Sequence, residues 1–207
     1  MNDHYYTADP QSEHRYASAD YAYRGTKLRF LTDAGVFSRG EVDFGTDVLL
    51  NALPEEMAGR VLDLGCGWGA VGVSVGKKYP GCEIVMTDVN ARAADLAAEN
   101  ARANGVRAET VTGDGLENVK GDFDYILTNP PIRAGKQKIY ALFADCGERL
   151  KENGKMYLVI RKQQGAESAL KYLRGIFVEA EVIEKSGGFW VIRCGNARGE
   201  EKQDARA

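Results

Sequence analysis

Two stretches of this chain have the residue types and the spacing to do chemistry. The first is Val61-Leu62-Asp63-Leu64-Gly65-Cys66-Gly67-Trp68-Gly69-Ala70. A buried-strand pattern runs there into closely spaced glycines and then into a helix. Gly65 and Gly67 allow a sharp turn and let a ligand approach the backbone closely. The second is Asp124-Tyr125-Ile126-Leu127-Thr128-Asn129-Pro130-Pro131-Ile132. It ends an apolar strand on a side-chain amide, and the two prolines that follow fix φ and make the turn rigid. Each stretch also has a plain structural reading, as a tight connection and as a rigid loop exit.

Gly65-x-Gly67-x-x-Ala70 fits a dinucleotide fingerprint with alanine last. Asp88 closes the next expected strand, where a ribose-binding acid belongs. The turn therefore points to a nucleoside-containing cofactor and leaves NAD and S-adenosylmethionine both open. Asp63 tilts the choice, because a carboxylate at the strand end suits a cofactor with a sulfonium and an amino group better than a pyrophosphate. Asp114, inside Gly113-Asp114-Gly115, offers an acceptor for the adenine amino protons. The structural alternatives are a helix-dipole carboxylate at Asp88 and ordinary turn chemistry at Asp114.

Asn129 suggests what such a cofactor would act on. An exocyclic amine on a base or amide is a poor nucleophile, since its lone pair is delocalised. The Asn129 side-chain oxygen and the free carbonyls of Pro130 and Pro131 would accept its N–H groups and favour the pyramidal form. They would also stabilise the positive charge that grows on nitrogen as a methyl group arrives. In-line positioning supplies the rest, and no strong general base is required.

The elements that must position these residues follow from hydrophobic rhythm. Residues 1–22 read as irregular, and Tyr23–Leu31 as a strand with Lys27 and Arg29 on one face. Asp43 opens a helix carrying Val48, Leu49, Leu50 and Leu53, ended near Pro54. Strands are expected at Arg60–Leu64, Glu83–Thr87, Ala108–Thr112, Phe123–Thr128 and Lys155–Arg161. Helices are expected at Ala70–Lys78, from the N-cap Asn90 to Asn104, at Gln137–Lys151 and at Ala166–Ile176. Phe177–Glu184 and Phe189–Cys194 form a terminal hairpin around Gly187-Gly188. The alternation predicts an α/β fold: a mostly parallel, seven-stranded, Rossmann-like sheet with a terminal antiparallel hairpin and helices on both faces. The organisation is an N-terminal extension over 1–40 with short strands packing on the core, one domain over 41–195, and a loose charged tail over 196–207.

Composition narrows the function classes. A chain of 207 residues, 44% hydrophobic, can bury roughly 70% of its unfolded surface without a metal or disulfide staple. A net charge of −3 gives no bulk attraction to nucleic acid, so such a contact needs a local basic patch. Cys66, Cys82, Cys146 and Cys194 form no C-x-x-C pair, and the histidines are His4 and His14 alone. Neither a metal site nor a Ser-His-Asp triad is expected. No signal region or long apolar run is visible, so a cytoplasmic protein without membrane contact is expected.

These motifs resemble the "small-domain" class I methyltransferases, in particular those similar to the ribosomal small-subunit RNA guanine-N2 methyltransferases. The resemblance runs from about Tyr5 to Gly195. It is most specific at Gly35-Val36-Phe37-Ser38-Arg39, Val42-Asp43-Phe44-Gly45-Thr46, the Asp63–Gly67 turn and Asn129-Pro130-Pro131-Ile132-Arg133-Ala134-Gly135-Lys136. It implies S-adenosylmethionine as donor and an exocyclic amino group as acceptor. Cofactor contacts are carried onto Asp63, Gly65, Cys66, Gly67, Asp88, Val89, Asp114, Gly115 and Asn129, and catalysis onto Asn129, Pro130, Pro131 and Ile132. There are two departures: the best-known guanine enzymes resemble a tandem of two such domains where this sequence shows one, which leaves substrate selection open, and the residue after the prolines differs. The motif often ends in an aromatic that stacks on the target base, and Ile132 stands there, so stacking is expected to be weaker or to be supplied elsewhere, for example by Phe37 or Trp190. Arg133, Lys136 and Lys138 are expected beside substrate phosphates. Arg15, Arg24, Lys27, Arg29 and nearby tyrosines form a candidate second RNA-facing surface. The expected partner is RNA of the small ribosomal subunit or its precursor, with the chain a monomer or weak dimer. Competing readings are methylation of a protein glutamine or DNA adenine, an NAD-binding oxidoreductase, and a non-catalytic RNA-binding factor.

Overall fold

The computed structural model describes residues 13–197. Nine strands and five helices follow one another as β1 (Ala17–Tyr23), β2 (Thr26–Thr32), α1 (Phe44–Asn51), β3 (Gly59–Leu64), α2 (Ala70–Lys78), β4 (Cys82–Asp88), α3 (Ala91–Ala103), β5 (Ala108–Thr112), β6 (Phe123–Thr128), α4 (Lys136–Glu148), β7 (Leu150–Arg161), α5 (Ala166–Ile176), β8 (Phe177–Ser186) and β9 (Phe189–Ala197). Seven strands form one sheet in the order β5-β4-β3-β6-β7-β9-β8. The first five in that order run parallel, and β9 and β8 close it as an antiparallel hairpin. This is the expected fold class. Among the described residues no helix is long and apolar enough to cross a membrane.

The central parallel strands β3, β4 and β6 carry buried apolar runs because helices cover both faces of the sheet. One core cluster joins Val61, Ile84, Met86 and Leu127 to α1, α2, α3 and the β1–β2 hairpin. The other joins Leu62, Val85, Ile126, Leu158 and Ile192 to α4 and α5. Chain order reverses between β3 and β6, and an open α/β sheet has its ligand crevice beyond the carboxyl ends of the strands at such a reversal. Leu64 pairs with Thr128 across this point. Gly65 and Asn129, the next residue on each strand, therefore emerge side by side.

Two elements differ from expectation. The N-terminal region holds two strands, not one: β1 occupies Ala17–Tyr23, within the stretch read as irregular, and turns through Arg24 and Gly25, both at positive φ (45° and 79°). Residues 1–12 of that stretch and 198–207 of the expected tail lie outside the described residues. Lys27 and Arg29 do share the exposed face of β2. The second difference is at α4, which ends at Glu148. There β7 begins at Leu150, and its Asn153-Gly154 pair is absorbed as an irregularity in the β6–β7 register rather than serving as a helix stop.

The hairpin docks through side-chain amides. Asn100 on α3 and Asn104 at its C-cap lie one turn apart, so both face β2. The Asn100 Oδ1 accepts from Leu31 N–H at 2.7 Å, and its Nδ2 donates to the carbonyls of Leu31 and Trp68, each at 2.8 Å. Asn104 repeats the pattern on Arg29. The two-residue period of the strand edge thus meets the four-residue period of the helix face. Asn100 is 1% exposed, so Asn100→Ala leaves three backbone groups short of a partner. The expected loss is about 3 kcal/mol in urea unfolding, and a change below about 0.5 kcal/mol would remove the amide from this role.

Candidate active site

The crevice at the β3/β6 reversal is a cavity of about 1000 Å³, large enough for a nucleoside-sized ligand and part of a second one. Asp63, Gly65, Cys66, Gly67, Asp88, Val89, Asp114, Gly115, Asn129, Pro130, Pro131, Ile132 and Phe37 all line it. Residues singled out from five separate stretches of sequence thus converge on one space.

The Gly-rich turn is built by backbone geometry. The N–H groups of Gly65 and Cys66 both donate to the Thr87 carbonyl at 2.9 Å, which seats the turn on the end of β4. Gly65 and Gly67 have positive φ (72° and 54°), and a Cβ on either would meet nothing within 4 Å. Their outer face is open to the cavity, so a ligand can lie directly against the peptide planes. Asp88 supports the turn from the side. Its Oδ2 accepts from Gly67 N–H at 2.8 Å and its Oδ1 from Asn90 N–H at 2.9 Å. Burial raises the Asp88 carboxyl above the usual range, against the pull of those N–H donors.

Asp63 is enclosed, at 2% exposure. Its Oδ2 accepts from Gly72 N–H at 2.8 Å, in the first turn of α2. A Cβ at Gly72 would stand 2.8 Å from Met86 and 3.2 Å from that carboxylate, so glycine is what lets the two elements approach. Burial pushes the Asp63 carboxyl up to about 7, with the Asp88 charge adding to the rise and Gly72 N–H opposing it. Burial likewise holds the Cys66 thiol well above its ordinary value, which makes it a neutral wall and not a nucleophile.

Asn129 is held by residues more than eighty positions away in the chain. Its Nδ2 donates to Asp43 Oδ2 and to Thr46 Oγ1, both at 3.1 Å. Asp43 is the N-cap of α1, and the same Oδ2 accepts from Thr46 N–H at 3.2 Å. A carboxylate can only accept, so this network fixes which end of the amide is nitrogen. Its oxygen is left as an oriented acceptor. Asp43 was legible from sequence as a helix start; its contact with Asn129 was not.

Other placements correct the expectations. The Pro131 carbonyl accepts from Ala134 N–H at 2.8 Å, so one of its two lone pairs is committed to the short 3-10 turn Ile132–Ala134. Lys138 lines the cavity but is paired with Asp114 at 2.6 Å. Lys136 is exposed on the first turn of α4, its ammonium 5.2 Å from the Tyr140 ring centroid, and is not among the lining residues. The Arg133 side chain lies outside the described residues. Trp190 packs on the core beneath the Lys185 ammonium and does not line the cavity, because strand alternation turns it to the opposite face from Phe189. Arg24 is not an open cation: its guanidinium donates to the carbonyls of Leu53 and Pro54 at the end of α1. Phe37 is at the cavity, in a loop pinned by Trp68 Nε1, which donates to the Phe37 and Ser38 carbonyls at 2.8 and 3.2 Å.

A mostly parallel seven-stranded sheet, a terminal antiparallel hairpin where a dinucleotide fold would continue its second half, and a Gly-rich turn beside an Asn-Pro-Pro loop define the Rossmann-like methyltransferase class. The chain belongs to the methyltransferase small domain family, which matches residues 27–193. The Bacillus subtilis protein YbxB, described as uncharacterized, is 40% identical over 94% of this chain and 98% of its own length. Ribosomal RNA small subunit methyltransferase C of Hahella chejuensis is 40% identical over 65% of this chain. The chain spans about half the length of the relatives that carry that name, 41% of the Hahella protein and 51% of its Pseudomonas entomophila counterpart. Among solved structures, the T. thermophilus 16S rRNA N2 methyltransferase RsmC, in complex with AdoMet and guanosine, superposes with a TM-score of 0.80. It is 25% identical, over 90% of this chain and 52% of that one. A TehB-like SAM-dependent methyltransferase from Corynebacterium glutamicum (TM-score 0.59, 21% identical, 76% of this chain and 90% of that one) shares the fold.

Proposed function

We infer that this protein transfers the methyl group of S-adenosylmethionine to an exocyclic amino nitrogen, and that the acceptor is guanine N2 in small-subunit ribosomal RNA. The observation that carries this reading is the Asn129 amide, anchored through its nitrogen so that its oxygen is held as an acceptor beside the Gly-rich turn. The names of the relatives and of the RsmC structure support RNA as the substrate.

S-adenosylmethionine supplies an electrophilic methyl group on a cationic sulfonium. The residues present fit it. The bare faces of Gly65 and Gly67 admit a ligand against the backbone, and the enclosed Asp63 carboxylate suits its positive amino-acid end. Asp88, which accepts from the Gly67, Asn90 and Val89 N–H groups, retains acceptor capacity for a ribose hydroxyl, while the Val89 side chain and Cys66 give apolar walls. Asp114 and Gly115 close the adenine end. On the acceptor side, the Asn129 oxygen and the Pro130 carbonyl take the two amine protons and localise the lone pair on nitrogen. As the N–C bond would form and the sulfonium S–C bond break, its electron pair staying on a neutral thioether sulfur, the same dipoles would face the positive charge growing on nitrogen. One amine proton then leaves to water. Ile132 and Phe37 bound the space for the base.

The test is transfer of label from S-adenosylmethionine to small ribosomal subunits from a strain lacking the protein. One labelled guanine is expected. An absence of label in subunits and naked RNA alike overturns the reading, and label confined to protein or DNA moves the acceptor there.

A further inference from the structure

Beside the cavity lies an aromatic and cationic surface to which the sequence assigned no role. Phe189, the first residue of β9, lines the cavity. Phe44, the first residue of α1, is 50% exposed, and the two rings lie 5.9 Å apart at a 58° tilt. Arg161, the last residue of β7, lines the same cavity, its guanidinium 5.3 Å from the Phe189 ring centroid. The β7–β9 register sets Arg161 opposite Phe189. Asp43, one residue before Phe44, holds the Asn129 amide. The Phe189 ring, the cation and the amide thus line one cavity, and the Phe44 ring extends that surface outward from Phe189.

Local sequence makes room for this surface. A Cβ at Gly45 would stand 2.8 Å from the Phe189 ring, and one at Gly187 would collide with the Phe44 ring. Both glycines therefore let the rings sit where they do. A half-exposed phenylalanine gains little from burial in this fold. Among the described residues no carboxylate lies within ion-pair distance of Arg161. An exposed ring beside an unneutralised guanidinium suits a ligand with a flat π face and an attached anion.

We propose that Phe44, Phe189 and Arg161 form a docking platform for an unpaired nucleotide of single-stranded or flipped nucleic acid, the rings stacking on its base and the guanidinium meeting its phosphate. The platform supplies the stacking surface that Ile132 lacks. It rests on the reading of a nucleic-acid substrate given above.

The experiment measures two things on the full chain: equilibrium binding of a fluorescent single-stranded RNA oligonucleotide, and methyl transfer to small subunits. Phe44→Leu and the double variant Phe44→Leu/Phe189→Leu keep apolar bulk and remove the π faces; Phe44→Tyr and Phe189→Tyr keep them. The double Leu variant should bind RNA about 10- to 100-fold more weakly, with an unchanged affinity for S-adenosylmethionine. The Tyr variants should bind as wild type does. Arg161→Gln should flatten the salt dependence of binding by about one charge. Because Phe44 is half exposed, its single Leu variant tests the idea even if the double one unfolds. Unchanged RNA binding in both Leu variants, in a protein that transfers methyl to RNA, overturns the platform and leaves the function standing. Weakened binding in those variants, in a protein that transfers no methyl to RNA, leaves the platform standing and overturns the function.

Discussion

Asn129→Ala should lower kcat for methyl transfer about 10²- to 10³-fold and leave the dissociation constant for S-adenosylmethionine within about threefold. The size follows from removing one preorganised acceptor from the place where charge develops in the transition state. The separation of effects follows from geometry, since the Gly-rich turn is seated on Thr87 and Asp88 without help from Asn129. Asn129→Asp is the sharper variant. It keeps the shape and an oxygen, yet it sets a carboxylate against Asp43 Oδ2 and Thr46 Oγ1 in place of an N–H donor. It should lose as much activity as Asn129→Ala. Single-turnover rates and calorimetric titration check both, and an Asn129→Asp protein with near-wild-type turnover would show that the Asp43–Thr46 anchor is irrelevant.

That anchor marks the limit of what sequence could convey. The strand ends at Leu64, Asp88 and Thr128 were legible, because a buried parallel strand is a short apolar run stopped by turn residues. The cavity residues at the ends of β3, β4 and β6 came with them. The strand β1 was missed because it alternates small and polar residues with tyrosines, and its buried face is only Ala19 and Tyr23. The start of β7 was missed because Asn153-Gly154 is a strong turn signal that the β6–β7 register absorbs. Three side-chain placements depended on distant partners. Arg24 was read as an open cation, but the end of α1 lies thirty residues on and claims its donors. Lys138 looked like a phosphate contact until the fold brought Asp114 to it. Phe189 carried no motif, because its place at the cavity depends on pairing with β7 and on the space left by Gly45.

The Asp63 carboxyl yields the second large effect, in which stability and binding move in opposite directions. A carboxyl held up to about 7 by burial stays protonated in the folded chain while the unfolded chain has already ionised near its ordinary value of about 3.9. Between those values the folded state binds more protons, so its stability falls as pH rises from about 4 to about 7 and stays reduced above. A shift of about three units corresponds to about 4 kcal/mol at pH 8. Asp63→Asn keeps an oxygen for Gly72 N–H and carries no charge, so it should stabilise the free protein by up to that amount at pH 8 and by almost nothing at pH 4.5. Urea unfolding at the two pH values reads the difference directly. A cationic ligand reverses the sign, because it needs the ionised form. Affinity of the wild type for S-adenosylmethionine should weaken about tenfold per unit as pH drops below about 7, and binding near pH 7 should release a proton. Asp63→Asn should bind about 100-fold more weakly, with that pH dependence gone. A variant that binds normally at pH 8, or gains no stability there, would mean that the buried charge serves neither role; a variant that gains stability and loses the cofactor identifies Asp63 as a destabilising charge retained for binding.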